Sequence, residues 1–89
     1  MNPKLAVVPP PVEKATTQEI KLLRTRAPIT QAQLRRYGDG WSLRMQMGNQ
    51  LYQVMCQDRG KPRVWRCLNR VRDYVEEHFG PLLVVIPPS

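Results

Sequence analysis

The fold of this chain is decided by residues 41–56, which read WSLRMQMGNQLYQVMC. Apolar and polar side chains alternate on both sides of Gly48-Asn49, a pattern typical of two strands that share one buried face. Glycine suits the first position of a two-residue turn that needs a positive φ, so the stretch predicts a β-hairpin. The turn would set three apolar pairs opposite one another on one face. The pairs are Trp41 with Cys56, Leu43 with Val54, and Met45 with Tyr52.

Three further elements are predicted on the C-terminal side of the hairpin. Turn-forming residues at 58–62 lead into a short third strand. An even number of residues in the loop, two or four, would put Trp65 on the same face as Trp41. Apolar residues then recur at helical spacing until Gly80-Pro81, a usual helix stop. The apolar run that follows either adds a strand to the sheet or pairs with a second copy of the protein. The predicted bounds are Arg63–Cys67 for the strand, Leu68–Phe79 for the helix and Leu82–Ile86 for the terminal strand.

Two helices are predicted before the hairpin, each from a capping box in which side chains satisfy the first free amides of a helix. Thr16 and Glu19 have the required spacing. Thr30 and Gln33 repeat it, and the glycine at position 38 would end a short second helix over residues 30–37.

The predicted fold is therefore α+β, with two N-terminal helices, a three-stranded antiparallel meander, a C-terminal helix and a short terminal strand. The order is α-α-β-β-β-α-β, with the helices packed on one face of the sheet. A chain of 89 residues makes one small domain. We expect that domain over residues 16–86, between an extended proline-rich arm at 1–15 and a short tail at 87–89.

Composition limits the classes of function. The 14 basic residues outnumber the 7 acidic ones and leave a net charge of +7, which favours a polyanion such as DNA as partner. We see no secretory signal, and no apolar stretch approaches the roughly 20 residues that span a membrane. A cytoplasmic location is expected, and two cysteines do not suggest a disulfide framework.

The titratable residues offer little catalytic chemistry. His78 is the only histidine and lies on the flank of the predicted C-terminal helix, where a partly buried structural role is expected. Cys56 and Cys67 do not match a four-ligand zinc pattern, so we expect them to be reduced residues of the core. These features favour a protein that is not an enzyme and holds no metal or cofactor.

The second face of the predicted hairpin carries the candidate site, because its side chains are basic and rich in amides. Arginine can pair with guanine and glutamine with adenine, and a two- or three-stranded ribbon can enter the major groove of DNA. The residues predicted to contact DNA from the sheet are Arg44, Gln46, Gln53 and Arg66, and those predicted to hold phosphates from the loop are Lys61 and Arg63.

Other interpretations of this face remain open. Leu51, Met55 and Val64 lie among its polar residues, so the face and the terminal strand could instead bind a protein of a partition or conjugation machinery. A plain solvated face is common in antiparallel sheets. A helix-turn-helix built from the two N-terminal helices is disfavoured because that motif needs a longer recognition helix. The small size also leaves a homodimer open.

Two resemblances extend these expectations. GWSLRMQ at 40–46, with GNQLYQVMCQDRGKPRVWRCLNRVRDYV at 48–75, resembles the arm domains of phage and transposon integrases and the plant AP2 domains. That resemblance implies DNA recognition by the sheet. VEKATTQEIKLLRTRAPITQAQLRRYGDGW at 12–41, with RVWRCLNRVRDYVEEHFG at 63–80, is similar to small partition-associated proteins of bacterial plasmids and integrating elements. It implies a setting in plasmid partition and assigns no site residue.

Overall fold

The computed structural model describes residues 12–58 and 60–87, and these residues form six strands and two helices. The elements in chain order are β1 (Val12–Thr16), α1 (Thr17–Leu23), β2 (Gln31–Tyr37), β3 (Gly40–Met47), β4 (Gln50–Met55), β5 (Val64–Trp65), α2 (Leu68–Phe79) and β6 (Val84–Val85). The predicted order α-α-β-β-β-α-β is therefore wrong, because a strand comes before the first helix and another replaces the second helix. Most of the predicted arm, residues 1–11, and the end of the predicted tail lie outside the described residues.

The strands form one mixed sheet rather than the predicted antiparallel meander. Its order is β1-β4-β3-β2-β6, and β5 pairs with the start of β3. The central strands β4, β3 and β2 are antiparallel neighbours, whereas β1 runs parallel to β4 and β6 runs parallel to β2. The terminal apolar run therefore pairs within the chain.

The hairpin and the C-terminal helix are confirmed. Met45 pairs with Tyr52, as the predicted register requires, and Gly48 has a φ of 64° in the turn between β3 and β4. The helix α2 has the predicted bounds, and Gly80 ends it with a φ of 81°. These elements follow from local signals, namely turn chemistry and the spacing of apolar residues.

The outer end of β3 differs from the prediction. The β3–β4 ladder ends at the Arg44–Gln53 pair, so the predicted pair of Leu43 with Val54 is not part of it. Trp41 pairs with Trp65 of β5 and not with Cys56. The loop after β4 reverses the chain direction, so that the short strand β5 pairs with β3. Both indoles lie on the same face, as predicted, and both are half-buried.

Residues 31–37 form the strand β2, so the predicted second helix is wrong. Ala32 and Leu34 are buried while their neighbours in sequence are more exposed, which is the period of a strand. The turn between β2 and β3 has two residues, and Gly38 has a φ of 62° in it. This glycine begins a hairpin turn rather than ending a helix.

The N-terminal part of the domain is a strand that leads directly into a capped helix. Val12–Thr16 pairs with β4, so residues 12–15 of the predicted arm belong to the sheet. The capping box is confirmed: the Glu19 amide donates to Thr16 Oγ1 at 3.3 Å, and the Thr16 amide donates to Glu19 Oε1 at 2.8 Å. These bonds fix the point where the chain leaves the sheet.

Both helices pack on one face of the sheet, which we call the helical face. Its core joins α1 and α2 to the buried side chains of β1, β2, β3 and β4. The buried members are Ala15, Ile20, Ala32, Leu34, Leu43, Met45, Met47, Val54, Val71, Tyr74, Val75 and Phe79.

The cysteines and the histidine occupy peripheral positions. Cys56 is half-buried and Cys67 is exposed, so the prediction of two core cysteines is wrong for Cys67. His78 is half-buried, as predicted, and its ring centroid lies 4.5 Å from that of Tyr74.

Candidate functional site

The face of the sheet opposite the helices, which we call the open face, is polar and basic. Cross-strand partners lie on the same face of a sheet, so the registers of the strand pairs define it. Its members are Val12, Lys14, Thr16, Gln31, Gln33, Arg35, Tyr37, Ser42, Arg44, Gln46, Leu51, Gln53, Met55, Val64 and Val85.

A single row of polar side chains crosses four strands at the middle of the open face. Lys14 of β1 pairs with Gln53 of β4, Gln53 pairs with Arg44 of β3, and Arg44 pairs with Gln33 of β2. Directly opposed side chains have their Cβ atoms about 5 Å apart, so each of the four groups is within reach of the next. The row alternates cation and amide across the sheet.

Arg44 is held in position by its neighbours. Its Nε donates to Gln53 Oε1 at 3.1 Å, and Gln53 Nε2 donates to the Leu43 carbonyl at 3.1 Å. Partial burial lowers the pKa of the Arg44 guanidinium, and the positive charge of Arg35 lowers it further. An arginine nevertheless stays protonated in proteins, so Arg44 presents a permanent, oriented cation.

The amides on the open face are engaged with one another. Gln33 Nε2 donates to Gln31 Oε1 at 2.9 Å and to Gln46 Oε1 at 3.2 Å. Gln46 Nε2 in turn donates to the Gly48 carbonyl at 3.3 Å. Both predicted amide readers, Gln46 and Gln53, thus use their oxygen and nitrogen inside the protein. Gln53 is also only 9% exposed, so it orients Arg44 rather than offering an edge to a base.

Positive charge on the open face has no acidic counterpart. Among the described residues of the strands, Lys14, Arg35 and Arg44 point to this side, and no aspartate or glutamate does. The one acidic residue in a described strand is Glu13, which pairs with Tyr52 on the helical face. A polyanion would meet cations and no carboxylate among the described strand residues of this face.

A cleft of about 360 Å³ opens next to this row. The buried residues Gln53 and Met55 line it, together with the cations Lys14 and Arg44 and with Tyr37. Tyr37 is 51% exposed, which leaves much of its side chain available to a ligand. The remaining lining residues are Val12, Gly60 and Pro62.

The structure brings together three of the six predicted DNA-binding residues and separates the others from them. Arg66 lies beyond the end of β5, 4.0 Å from the carboxylate of Asp39 in the β2–β3 turn. The Arg63 guanidinium lies on the helical side, 5.0 Å from the Tyr74 ring centroid. Lys61 is exposed in the loop between β4 and β5. Arg44, Gln46 and Gln53 share the open face.

The apolar residues predicted for protein binding offer little surface. Leu51 is 8% exposed and Met55 is 2% exposed, whereas Val64 is 41% exposed. Two of the three side chains are therefore already covered by the protein itself.

Tyr37 was missed as a functional candidate from the sequence, and Lys14 and Arg35 were not assigned to the sheet. Lys14 falls in the predicted arm, and the other two fall in the predicted second helix. The alternation of residues 31–37, followed by a glycine-first turn, is the signal that would have placed Arg35 and Tyr37 beside Arg44.

A second polar cleft, of about 430 Å³, lies where α1 begins beside α2. The hydroxyl groups of Thr17 and Tyr74 are hydrogen-bonded there, and Arg63 and His78 contribute to the lining. Burial raises the pKa of Tyr74, against a smaller opposing effect of the Arg63 charge. In the described part of the chain, no three histidine, cysteine, aspartate or glutamate residues cluster as metal ligands would.

No protein-family model matches the chain, and no curated protein or solved structure is significantly similar to it. Neither helix in the described ranges is long and apolar enough to cross a bilayer.

Proposed function

We propose that this protein is a non-enzymatic DNA-binding accessory protein that holds DNA on the open face. One observation carries the proposal, namely the three cations Lys14, Arg35 and Arg44 on a face without carboxylates in the described strands. Phosphate contacts supply most of the sequence-independent affinity of DNA-binding proteins, and they require this arrangement of charge.

The hydrogen bonds of Arg44 support the proposal. A guanidinium already fixed by Gln53 loses little conformational freedom when it binds a phosphate oxygen. Partial burial also weakens screening by salt around the guanidinium. Arg44 is therefore the central contact of the proposed site, with Arg35 on the neighbouring strand β2 and Lys14 on β1, beyond β4.

The setting that we propose is the cytoplasm of a bacterium, in the partition of a plasmid or integrating element, and it rests on the resemblance of residues 12–41 and 63–80. An adaptor function through the open face is less favoured, because Leu51 and Met55 are buried. The proposed role is to coat or present DNA, with no chemical step.

A salt-titrated binding measurement tests the proposal. Fluorescence anisotropy with a labelled duplex should show affinity that falls linearly with the logarithm of salt concentration. The variant Lys14→Gln/Arg44→Gln removes two cations and keeps much of each aliphatic stem, so its slope should be shallower by about 1.8.

The matched control is Lys21→Gln/Arg72→Gln, which removes the same charge from α1 and α2. Its slope should stay close to that of the unmodified protein. Equal losses in both double variants would show that net charge alone attracts the DNA. An unmodified protein without salt-sensitive affinity for DNA would end the proposal.

A further inference from the structure

The width of the sheet restricts how DNA can approach the open face. Five strands in the order β1-β4-β3-β2-β6, at about 4.8 Å spacing, make a surface about 19 Å wide. The major groove of B-form DNA is about 12 Å wide and admits a helix or a two-stranded ribbon. The face is therefore too broad to enter the groove in the way expected of the predicted meander.

The side chains that line the cleft on the open face are of the types that bind a nucleotide. Tyr37, which is about half exposed, lines this cleft of about 360 Å³ and supplies an aromatic side chain. Lys14 and Arg44 line the same cleft and supply two cations. Bases without a pairing partner stack on such rings, and their phosphates follow adjacent cations. A base inside a duplex is stacked on both sides and has no free ring face for Tyr37.

We propose that the open face binds single-stranded DNA, with one base stacked on Tyr37 and the adjoining phosphates held by Lys14 and Arg44. This inference rests on the proposed DNA-binding function and names its substrate. The strand crosses the sheet from β1 towards β2, where Arg35 continues the positive path beyond Arg44.

The amide cluster extends the site without contributing charge. Gln31, Gln33 and Gln46 lie on the side of Arg44 away from the cleft, and their side chains already bond one another. A second base placed there must replace one of those bonds. Binding at Tyr37 is thus stronger than binding at the amides, and the site has little sequence preference.

The test compares a labelled oligothymidine of about 15 nucleotides, within the usual site size of single-strand binders, with a duplex of equal length at the same salt. The unmodified protein should bind the single strand more tightly at each salt concentration. Tyr37→Leu should weaken that binding by roughly 5- to 150-fold, the effect of losing one stacked base.

Two features of Tyr37→Leu separate stacking from general damage. Its salt slope should equal that of the unmodified protein, because no phosphate contact is removed. Tyr37→Phe keeps the aromatic ring and should restore affinity to within about twofold. Thermal unfolding by circular dichroism should show that both variants retain the fold.

The outcomes distinguish the two proposals. Equal or tighter binding of the duplex, or unchanged affinity in Tyr37→Leu, would overturn the single-strand assignment and leave DNA binding intact. Tighter binding of a matched oligouridine would reassign the site to RNA. No salt-sensitive binding to either form of DNA would overturn both proposals.

Discussion

The substitution Gly40→Ala tests how β5 is held against the sheet. Gly40 is buried at the start of β3, where a Cβ atom would lie 2.6 Å from Val64 Cγ1 and 2.8 Å from the Trp65 carbonyl oxygen. The carbonyl belongs to the backbone of β5, which pairs with β3 through Trp41 and Ser42. An added methyl group therefore cannot be accommodated by a side-chain rotation alone.

The expected cost follows from this geometry. Overpacking a tight site by one carbon destabilises a protein by about 1–3 kcal/mol. In a domain of this size each kcal/mol shifts the unfolding temperature by about 4–8 °C. Gly40→Ala should therefore melt about 4–24 °C below the unmodified protein, and tryptophan fluorescence should shift as β5 moves and exposes Trp65.

Thermal unfolding by circular dichroism measures this difference, with Gly60→Ala as the matched control. A Cβ atom at Gly60 would lie 3.6 Å from Asp58 Oδ1, an ordinary contact, so the control should unfold within a few degrees of the unmodified protein. A Gly40→Ala variant as stable as Gly60→Ala, with unchanged fluorescence, would refute the close approach of β5 to β3.

Three other substitutions probe the core, the end of α2 and a buried phenol. Leu43→Ala removes a side chain with no exposed surface and should lower the free energy of unfolding in urea by about 2–5 kcal/mol; a loss below about 1 kcal/mol would contradict its central position. Gly80 has φ 81° and ψ −168°, a region almost confined to glycine, so Gly80→Ala should cost about 1–3 kcal/mol in the same assay, and an unchanged midpoint would argue against this helix end. Burial raises the pKa of Tyr74 above 10.0, so the unfolded chain loses this proton first and stability should fall as pH rises above about 10. Tyr74→Phe should flatten that dependence, and an equally steep decline in the variant would assign it to other groups.

The parts of the fold that could be predicted from sequence are those with local determinants. The β3–β4 hairpin depends on Gly48-Asn49 and the alternation around it, and α2 depends on apolar spacing and Gly80. Residues 31–37 were predicted incorrectly because Thr30 and Gln33 have the spacing of a capping box. In the structure the Thr30 hydroxyl donates instead to the Gln46 carbonyl at 3.1 Å, so the residue joins the sheet. The pairing of residues 31–37 with β3 therefore outweighed the helix-capping tendency of Thr30 and Gln33.

Non-local pairing explains the rest of the errors. The partner of β1 is β4, whose paired residues lie 39 positions later in the chain, and no local pattern around Lys14 indicates a strand there. A strand was predicted at the position of β5, but its pairing was not, because Trp65 rather than Cys56 is the partner of Trp41. Arg44, Gln46 and Gln53 were found because one hairpin holds them all. Lys14, Arg35 and Tyr37 reach the open face only through strands that the sequence did not reveal.

Local charge, rather than the net charge of +7, decides where a polyanion binds. Charges more than about 8 Å from a phosphate are largely screened at physiological salt, so only the composition of the contacting surface matters. On α2, two arginines are accompanied by three carboxylates within twelve residues, and that helix has no uncompensated positive charge. A protein that is basic by composition alone should mix its charges in this way on every surface. On the open face, Lys14, Arg35 and Arg44 have no carboxylate among the described strand residues, and this separation of charge is why we propose this face as the DNA-binding surface.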